Sequence, residues 1–595
     1  MNEPSPVSPP EPPDHPTEVT LDSWKEIARY VKRDVSTVQR WEKRECMPVH
    51  RHVHDRRGSV YANGSELDAW LQSRRLPLEE EEKEHSEKRL EDDHGPGGTP
   101  WARRWLVVCG TVLLALMAAS YLTTRSRLGG VTRSKIESLA VLPLKNLSGD
   151  PAQEYLADGL TEELIGRLSL IHDLRVISRT SVMRFKDTRQ PVPEIAKTLG
   201  VDAIVEGSVI REGDRVRVNA QLIRGGTDEH LWAEEYQREY RSILALQDEV
   251  ARNIAQQVKI TMTPREQAGL AGTRTVDPEA HENYLKGRYY SNQRTEEALK
   301  RGIAYFQQAV ARDPTYASAY CGLADANALL GFRGHLPSTD ALLQAKEAAL
   351  KALELDDTLA EAHASLAFIA ETHEWDWLTA EREYKRALEL NPGYAQAHHW
   401  YAGYLMFVGR FDEGIAEAKR ARELDPLSLP INNALAGRLL VAGRYDEALA
   451  QLRETLEMNP RFAPAHNRLG WAYLAEGRHE EAIREFQMAI DLSGTDDPDL
   501  LLDLGFGYAI AHRRAEATRI LARLKGQHER GLIPSGAIAI LYGALGERDN
   551  AFAWLEKAYE ERDPELTYIK VGPRFEPLRH DVRFQQLVHR IGLPQ

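Results

Sequence analysis

The chain has 595 residues, of which 28% are charged and 42% are hydrophobic, and its formal net charge is −14. This length predicts several domains, because a single domain usually spans about 100–200 residues. The composition excludes a polytopic membrane protein and a wholly disordered chain, since apolar residues suffice for several cores and charges are too frequent for many membrane spans. Three cysteines, far apart in the sequence, exclude a disulfide framework and a cysteine metal cluster.

The amino-terminal end combines a polar leader with a basic segment. Residues 1–20 predict a disordered leader, because seven prolines fall within the first 16 residues and little apolar sequence lies between them. Residues 21–76 predict a small folded domain. Between Ser23 and Arg75 it holds 12 Lys and Arg against 7 Asp and Glu, a net charge of +5 on an acidic chain. This concentration of positive charge favours a polyanionic partner.

The elements predicted within residues 21–76 follow the order helix, turn, helix, basic turn and helix. Asp34 can cap a second helix over about residues 35–43. Residues 50–57 are basic and turn-like, and Ser65 can cap the final helix. The motifs STVQRWEKR and SELDAWL, in this order, resemble those of the excisionase or MerR-type winged helix-turn-helix. The resemblance implies DNA binding, with the second helix in the major groove and the wing on phosphate.

The winged-helix resemblance implies DNA contacts from the second helix and from the wing. The side chains on the second helix are Ser36, Thr37, Gln39, Arg40, Lys43 and Arg44, and those on the wing are Arg51, Arg56 and Arg57. Gln39 and Arg40 are expected to read base edges, while the others mostly neutralise phosphates. Roughly six phosphate contacts would make affinity fall about a thousandfold between 50 and 200 mM salt, so we expect a homodimer on a two-fold operator. A merely solvated basic face and a protein-binding module are the alternatives.

Three alternating histidines, His50, His52 and His54, lie in the predicted wing. Alternate residues of a strand project to one face, so a metal site is one interpretation. A fourth ligand of the usual type does not accompany them, and contact with phosphate or solvent is the prediction. The sequence therefore predicts neither a metal nor a cofactor.

An acidic linker and an uncharged segment follow the basic domain. The linker, residues 77–102, holds 9 acidic and 3 basic residues between Glu79 and Asp93, and then a Gly- and Pro-rich stretch. Residues 105–122 carry no charge, and a helix of that length is about 27 Å long, close to the roughly 30 Å hydrocarbon core of a bilayer. They predict one transmembrane helix, with a buried core helix as the alternative. Four Lys or Arg lie near each end, so charge bias leaves the orientation open.

Residues 136–260 predict one α/β domain, because short apolar strands alternate there with helical patterns. The strand-like runs are SLAVLPL, LRVIS, AIVEGSVI and RVRVNAQLI, and the last two form a hairpin around residues 212–214. Helical periodicity covers residues 154–171, 193–199 and 243–258. The segment resembles the TolB amino-terminal-like domain of bacterial signalling proteins, which implies a non-catalytic role in sensing or assembly.

The carboxyl-terminal part, residues 280–595, is repetitive. The pentapeptides GRFDE, GRYDE and GRHEE begin 34 residues apart, at Gly409, Gly443 and Gly477. Apart from the first interval, a small residue opens each predicted second helix at a step of 34 or 35 residues: Gly302, Ala345, Ala380, Gly414, Ala448, Ala482, Ala517 and Ala551. This pattern resembles the tetratricopeptide repeat, an all-α solenoid of helix pairs. The resemblance implies a protein or peptide partner on the concave face, where we expect five contact residues: His399, Trp400, Asn433, Asn467 and Arg468.

Together these parts predict a multidomain protein with a winged helix-turn-helix, one transmembrane helix, an α/β domain and an all-α solenoid. No P-loop, zinc-protease, hydrolase or kinase signature occurs, so we expect no enzyme. The combination predicts a membrane-anchored one-component transcriptional regulator in the bacterial inner membrane. Because DNA is cytoplasmic, the amino terminus is expected inside the cell and the α/β domain and solenoid in the periplasm. One alternative is a membrane-anchored scaffold whose head binds protein, and another is a cyclase or kinase relative that retains only its regulatory half.

Overall fold

The chain divides into two compact units, residues 1–131 and 132–595. In this computed structural model the described residues are 20–21, 23–45, 47–51, 60–73, 135–258, 260, 262–270, 276–332 and 338–594. The predicted linker and the predicted membrane-spanning segment lie outside these ranges, as does the predicted leader up to residue 19. Among the helices within these ranges, none combines the length and the apolar composition that a bilayer crossing requires.

The described residues of the amino-terminal unit form a three-stranded antiparallel sheet and three helices. The strands, in the spatial order β1-β3-β2, are β1 (Thr20–Leu21), β2 (His50–Arg51) and β3 (Val60–Asn63). The helices are α1 (Trp24–Tyr30), α2 (Val35–Glu45) and α3 (Gly64–Ser73). Buried apolar side chains from the helices, from β3 and from the segment between α2 and β2 form one small core: Ile27, Ala28, Val38, Met47, Val60, Ala62 and Leu67. This unit thus has a hydrophobic core of its own.

Side-chain caps determine where α1 and α2 begin. Ser23 Oγ accepts a hydrogen bond from the backbone N–H of Glu26, and Asp34 Oδ1 accepts one from the backbone N–H of Thr37 at 2.8 Å. Each cap satisfies an N–H group that has no partner within its own helix. The predicted cap at Asp34 is therefore present, whereas α3 begins at Gly64, one residue before the predicted cap.

The second unit begins with an α/β domain built on a mixed sheet. Its strands are β4 (Ser138–Val141), β5 (Lys145–Asn146), β6 (Arg175–Val176), β7 (Ala203–Glu212), β8 (Arg215–Arg224) and β9 (Glu229–Glu239). The spatial order is β6-β4-β7-β8-β9, and β5 also pairs with β7. Strand β4 is parallel to both of its neighbours, while β7, β8 and β9 are antiparallel. The helices are α4 (Glu154–Ser169), α5 (Arg179–Val182), α6 (Val192–Leu199) and α7 (Ile243–Val258).

A helical solenoid forms the rest of this unit. After α8 (Pro264–Leu270), its helices are α9 (Pro278–Ser291), α10 (Glu296–Arg312), α11 (Ala317–Phe332), α12 (Ser338–Leu355), α13 (Ala360–Ile369), α14 (Trp377–Leu390), α15 (Ala395–Phe407), α16 (Phe411–Leu424), α17 (Leu429–Val441), α18 (Tyr445–Met458), α19 (Ala463–Ala475), α20 (His479–Ser493), α21 (Pro498–Ile510), α22 (Arg514–Glu529), α23 (Ser535–Ala544), α24 (Arg548–Glu560) and α25 (Val582–Ile591). All eight small residues predicted to open second helices are buried, on α10 and every second helix through α24. Small side chains at these positions allow paired helices to approach closely.

The last helices pack back onto the middle of the solenoid. The indole Nε1–H of Trp377 donates to the carbonyl of Ile591 at 3.1 Å, and the rings of Trp375 and Tyr559 lie 5.4 Å apart. Tyr568, in a short 3-10 helix over 564–568, contacts the ring of Phe407 with centroids 4.4 Å apart. The carboxyl-terminal segment therefore borders the solenoid interior, a contact that the repeat pattern does not predict.

The α/β domain is packed against the first solenoid helices through a half-buried ion pair. Arg288 on α9 donates from Nε to Glu162 on α4 at 3.0 Å, and Asn292 donates to the same carboxylate at 2.8 Å. Leu285, also on α9, lies against Gly159 so closely that a Cβ on that glycine would be 2.7 Å from Leu285 Cδ2. Polar and apolar contacts thus join the two parts at one surface.

A second contact joins the α/β domain to the turn between α16 and α17. The backbone N–H of Ser178 donates to the carbonyl of Leu424 at 2.8 Å. Ser181 Oγ donates to the buried carboxylate of Asp425 at 2.5 Å and accepts from the backbone N–H of Leu427 at 2.8 Å. Burial raises the pKa of Asp425 to about 6, although the serine hydroxyl opposes that rise. These two contacts lie far apart in sequence, and a third joins Asn391 to Ser169 at 3.0 Å.

Candidate functional site

Helix α2 carries the side chains that sequence analysis assigned to base reading. Arg40 is exposed and Gln39 is half-buried. The Thr37 hydroxyl donates to Asp34 Oδ2 at 2.7 Å, so this side chain closes the first turn of α2. The remaining predicted DNA contacts have side chains outside the described residues: Ser36, Lys43, Arg44, Arg51, Arg56 and Arg57.

The opposite side of α2 packs into the core of the unit. Val38 is fully buried, and the rings of Trp41 and Trp70 lie 5.5 Å apart, which fixes α2 against α3. Tyr30 on α1 donates to Asp68 on α3 at 2.9 Å. Because these contacts anchor α2, Arg40 projects from a helix whose orientation is set by packing.

His50 is held by a carboxylate of its own unit. Its Nε2 lies 2.8 Å from Glu66 Oε2, and its ring is 5.2 Å from that of Tyr61. A phosphate group or a water molecule would therefore have to compete with Glu66 for the His50 ring. Within the described ranges no group of His, Cys, Asp and Glu side chains is arranged to hold a metal ion, and His52 and His54 lie outside those ranges.

The predicted partner-binding residues of the solenoid have different surroundings. Trp400 stacks on Phe368 with centroids 4.8 Å apart, which makes it a packing residue, and Asn467 donates to Asp503 at 2.9 Å. His399 is half-buried, and burial, with a smaller contribution from a nearby arginine, lowers its pKa to about 3. The side-chain oxygen of Asn433 is buried without a hydrogen-bond partner among the described residues.

Two arginines, Arg438 and Arg468, lie on α17 and α19, the first helices of neighbouring repeats. Sequence analysis did not predict Arg438. Arg438 on α17 donates to the carbonyls of His399 and Ala434 at 2.8 and 3.0 Å. Neither it nor Arg468 on α19 lies within ion-pair distance of a carboxylate in the described part of the chain. Arg574, by contrast, pairs with Asp503 at 2.7 Å. Arg438 carries no repeat signal, since the corresponding positions 34 residues away are Tyr404 and Ala472.

Glu371 is a buried carboxylate whose charge would act on Arg438. Burial raises its pKa to about 8, although a hydrogen bond from the Tyr384 hydroxyl at 2.9 Å and the charge of Arg438 oppose that rise. A carboxyl group with this pKa is mostly protonated at pH 7. Glu371 therefore leaves the charge of Arg438 largely uncompensated.

The raised pKa of Glu371 predicts a pH-dependent contribution to stability. Because the folded state binds this proton more tightly than the unfolded state, the contribution is complete below the ordinary pKa near 4.5 and is lost as pH rises through about 8. Between pH 7 and 9 the loss is about 1.4 kcal/mol. Glu371→Gln should remove it, so the unfolding free energies of the variant and the unmodified chain should diverge over this range. Denaturant unfolding at both pH values checks this, and an unchanged difference would contradict it.

A cavity of about 710 Å³ lies in the α/β domain, beyond the carboxyl end of β4. Its lining includes Lys186, whose Nζ lies 2.6 Å from Glu154 and 2.6 Å from Asp158. These two carboxylates compensate its charge, so Lys186 offers no uncompensated charge to an anionic ligand.

Two segments match known families. Residues 134–253 match the family described as "HilA/YgeH-like transcriptional regulator, second domain", and residues 433–497 match the tetratricopeptide repeat. The chain contains a HilA-like regulator domain and tetratricopeptide repeats. The repeats are thus confirmed. The resemblance to TolB stays a prediction, because the match over that segment is to the HilA-like domain.

Individual relatives cover smaller parts of the chain. A stretch of 233 residues is 36% identical to "Putative adenylate cyclase 3" of Rhizobium meliloti (strain 1021) and covers 39% of each chain. A stretch of 132 residues is 29% identical to "Transcriptional regulator HilA" of Salmonella typhimurium (strain LT2), covering 22% of this chain and 24% of that one. The chain therefore spans about two fifths and one quarter of the lengths of these relatives. A Pseudomonas aeruginosa pilF structure is 24% identical over 35% of this chain and 92% of its own, with a TM-score of 0.28.

The prediction that the chain is no enzyme is wrong, because a relative named as an adenylate cyclase is 36% identical over 39% of the chain. That prediction rested on the absence of short catalytic signatures. Catalytic groups are often assembled from separated parts of a chain, so such an absence says little about activity.

Proposed function

We propose that this chain is a membrane-anchored one-component transcriptional regulator whose amino-terminal unit binds DNA and whose solenoid binds protein. The observation that carries the proposal is the HilA-like regulator domain at residues 134–253, which follows a basic stretch, residues 23–75, with a net charge of +5. Tetratricopeptide repeats supply the protein-binding surface. A regulator needs both a DNA contact and a part that receives a signal, and the chain has a candidate for each.

In this proposal the amino-terminal unit is a winged helix-turn-helix. Helix α2 enters the major groove, and the connection between β2 and β3 contacts phosphate. The exposed position of Arg40 on a packed α2 supports this arrangement. A guanidinium there can donate two hydrogen bonds to guanine, the commonest specific contact in the major groove. The competing scaffold hypothesis gives the same surface a protein partner.

Removing charge from α2 should weaken DNA binding. We expect Arg40→Ala combined with Arg44→Ala to lower the affinity of the full chain for a 30-base-pair duplex by roughly tenfold or more, and the salt slope by about two. Electrophoretic mobility shifts at several salt concentrations measure both quantities. The matched control, Lys25→Ala with Arg29→Ala, removes two exposed charges from α1. Equal losses in both pairs, or no binding by the unmodified chain, would favour the scaffold.

The membrane part of the proposal rests on residues 105–122, which are uncharged and long enough to cross a bilayer. One span would put the HilA-like domain and the solenoid in the periplasm if the DNA-binding unit is cytoplasmic. A ligand that changes self-association of the tail would then raise the effective concentration of paired DNA-binding units. A reporter active only in the periplasm, fused to the carboxyl terminus, tests this orientation, and activity of a cytoplasmic reporter would contradict it.

A second candidate function is nucleotide cyclisation, which the 36% identity to a protein named as an adenylate cyclase favours. The aligned part covers 39% of that relative, so the activity of the whole relative is a proposal here. Incubation of the full chain with ATP and a divalent cation, followed by measurement of cyclic AMP, tests it. Formation of cyclic AMP above a heat-denatured control would support it, and no formation would contradict it.

A further inference from the structure

The cavity of about 710 Å³ in the α/β domain lies on the polar face of the sheet. Along β8, Val216, Val218 and Ala220 are buried. Arg217 and Asn219, which lie between them, are exposed. Successive side chains of a strand project to opposite faces, so one face of the sheet packs in the core and the other is polar. Asn219 lines the cavity, whose volume is typical of small-molecule sites, which span about 300–1,000 Å³.

Strand register arranges five polar side chains of this cavity in two rows. In the first row Lys145 on β5 is paired with Ser208 on β7, and Ser208 is paired with Asn219 on β8. In the second row Glu206 on β7 is paired with Gln221 on β8. All five residues line the cavity. Because neighbouring strands lie about 4.8 Å apart and residues two apart on one strand lie about 7 Å apart, the two rows form one compact polar surface.

The two charged side chains in these rows have no ion-pair partner in the described part of the chain. Lys145 is exposed, and no hydrogen bond joins its ammonium group to another described residue. Glu206 is half-buried, and among the described residues its carboxylate accepts only from the Gln221 amide, at 3.3 Å. The side chains of Ser208 and Asn219 likewise have no hydrogen-bond partner within the described ranges. The polar face thus presents one cation, one anion and two neutral groups to the cavity.

Apolar side chains form another part of the cavity lining. Phe185 precedes α6, Ile195 lies on α6, and Leu142 follows β4. Each is at most 9% exposed, so they belong to the core and present a small apolar surface to the cavity. A cavity with an apolar part and a few polar groups that fix orientation is typical of a small-molecule site. The lining therefore suits a small molecule that carries both charges and an apolar group.

We propose that this cavity binds a small zwitterion, which carries an ammonium group, a carboxylate group and an apolar side chain. Glu206 accepts hydrogen bonds from the ammonium group. Lys145, Ser208 and Asn219 donate to the carboxylate. Such a molecule gains charge-assisted hydrogen bonds at both ends, whereas a simple amine or carboxylate gains them at one. The zwitterion is a free α-amino acid or a short peptide. This inference goes beyond the proposed function, because it holds or fails whether or not the amino-terminal unit binds DNA.

Four compounds test this proposal on the full chain: leucine, leucyl-leucine, N-acetyl-leucine and leucinamide. The first two are zwitterions at neutral pH, the third lacks the ammonium group and the fourth lacks the carboxylate. Isothermal titration calorimetry at neutral pH and low salt should show at least one zwitterion binding about tenfold tighter than both singly charged analogues. The tighter zwitterion identifies the ligand as an amino acid or a peptide. If neither zwitterion binds more tightly than the analogues, or none of the four compounds binds, the proposal is overturned.

Charge substitutions assign each end of the ligand. Glu206→Gln should weaken binding of the tighter zwitterion by roughly tenfold and leave that of N-acetyl-leucine unchanged, because this analogue has no ammonium group. Lys145→Gln should weaken zwitterion binding to a similar degree and leave that of leucinamide unchanged. The control Glu212→Gln removes an exposed charge of β7 that lies outside the cavity lining, and it should leave binding unchanged. Equal loss in all three variants, or unchanged zwitterion binding in Glu206→Gln, would contradict the proposal.

A strand-favouring substitution separates binding from folding. Asn219→Val removes a donor, whereas valine favours a strand, so zwitterion binding should fall by about threefold or more with the midpoint of denaturation unchanged or higher. The control is Gln237→Val on β9, an exposed position on the same face that lies outside the cavity lining. Full binding by Asn219→Val, or an equal loss in the control, would show that the polar face does not hold the ligand.

Discussion

Arg288→Met is expected to lower the unfolding free energy of the carboxyl-terminal unit by about 1.5–3 kcal/mol. The substitution keeps the apolar stem and removes the charge that pairs with Glu162 at the surface between the α/β domain and the solenoid. Burial alone would raise the pKa of Glu162, but Arg288 and Arg179 together hold it below its ordinary value. Without Arg288 the half-buried carboxylate would retain Asn292 and the more distant Arg179, 3.5 Å away, and this weaker compensation of its charge accounts for most of the loss.

Chemical denaturation measures this loss, and limited proteolysis shows where the structure opens. We expect cleavage between the α/β domain and α9 to become faster in Arg288→Met. Adding Glu162→Gln should restore part of the stability, because it removes the uncompensated charge. The matched control is Arg241→Met, whose ion pair with Glu239 is exposed and contributes little. A loss below about 1 kcal/mol in Arg288→Met would show that this contact does not hold the domain in place.

Phe486→Ala should destabilise the solenoid by about 3–5 kcal/mol. Phe486 is fully buried on α20, and its ring packs where Gly470 and Gly507 leave space: a Cβ on these glycines would lie 2.5 and 3.1 Å from ring atoms. Its centroid is also 5.9 Å from that of Trp471. Truncation leaves a cavity between three helices that cannot close, because the neighbouring repeats fix their spacing.

Thermal and denaturant unfolding of Phe486→Ala check this expectation. Met488→Ala, on the same helix but 46% exposed, provides the control and should cost much less. Since repeat arrays are stabilised by neighbouring interfaces, the unfolding transition of Phe486→Ala should also become broader. A loss equal to that of the control would mean that the site can collapse around the smaller side chain.

Local patterns explain why the solenoid could be predicted. Each repeat packs its small residue, such as Ala448 or Ala482, against its own partner helix, so the 34-residue period contains most of the structural information. The same is true of the hairpin β7–β8, whose turn at Gly213 and Asp214 lies between an apolar strand and a strand in which polar and apolar residues alternate. Strand β9 escaped prediction because most of its residues are exposed and its charged sequence, EHLWAEEYQRE, lacks clear alternation.

Contacts between distant segments could not be predicted from one sequence. Trp377 and Ile591 are 214 residues apart, and neither carries a local sign of their hydrogen bond. The same applies to Arg438, whose lack of a carboxylate partner appears only once the surrounding helices are placed. Thr37 was assigned to DNA from its position in a motif, whereas its hydroxyl bonds to Asp34. Residue type and spacing therefore indicated the candidate surfaces but not the pairing of each side chain.

The turn between α16 and α17 has a mechanical consequence. It bonds to Ser178 and Ser181 on one side and leads directly into the helix that carries Arg438 on the other. A change in the pitch of the repeats at α17 must therefore either break these hydrogen bonds or carry β6 and α5 with it. The repeats and the HilA-like domain are thus mechanically coupled at this turn, in addition to their contact through Arg288 and Glu162.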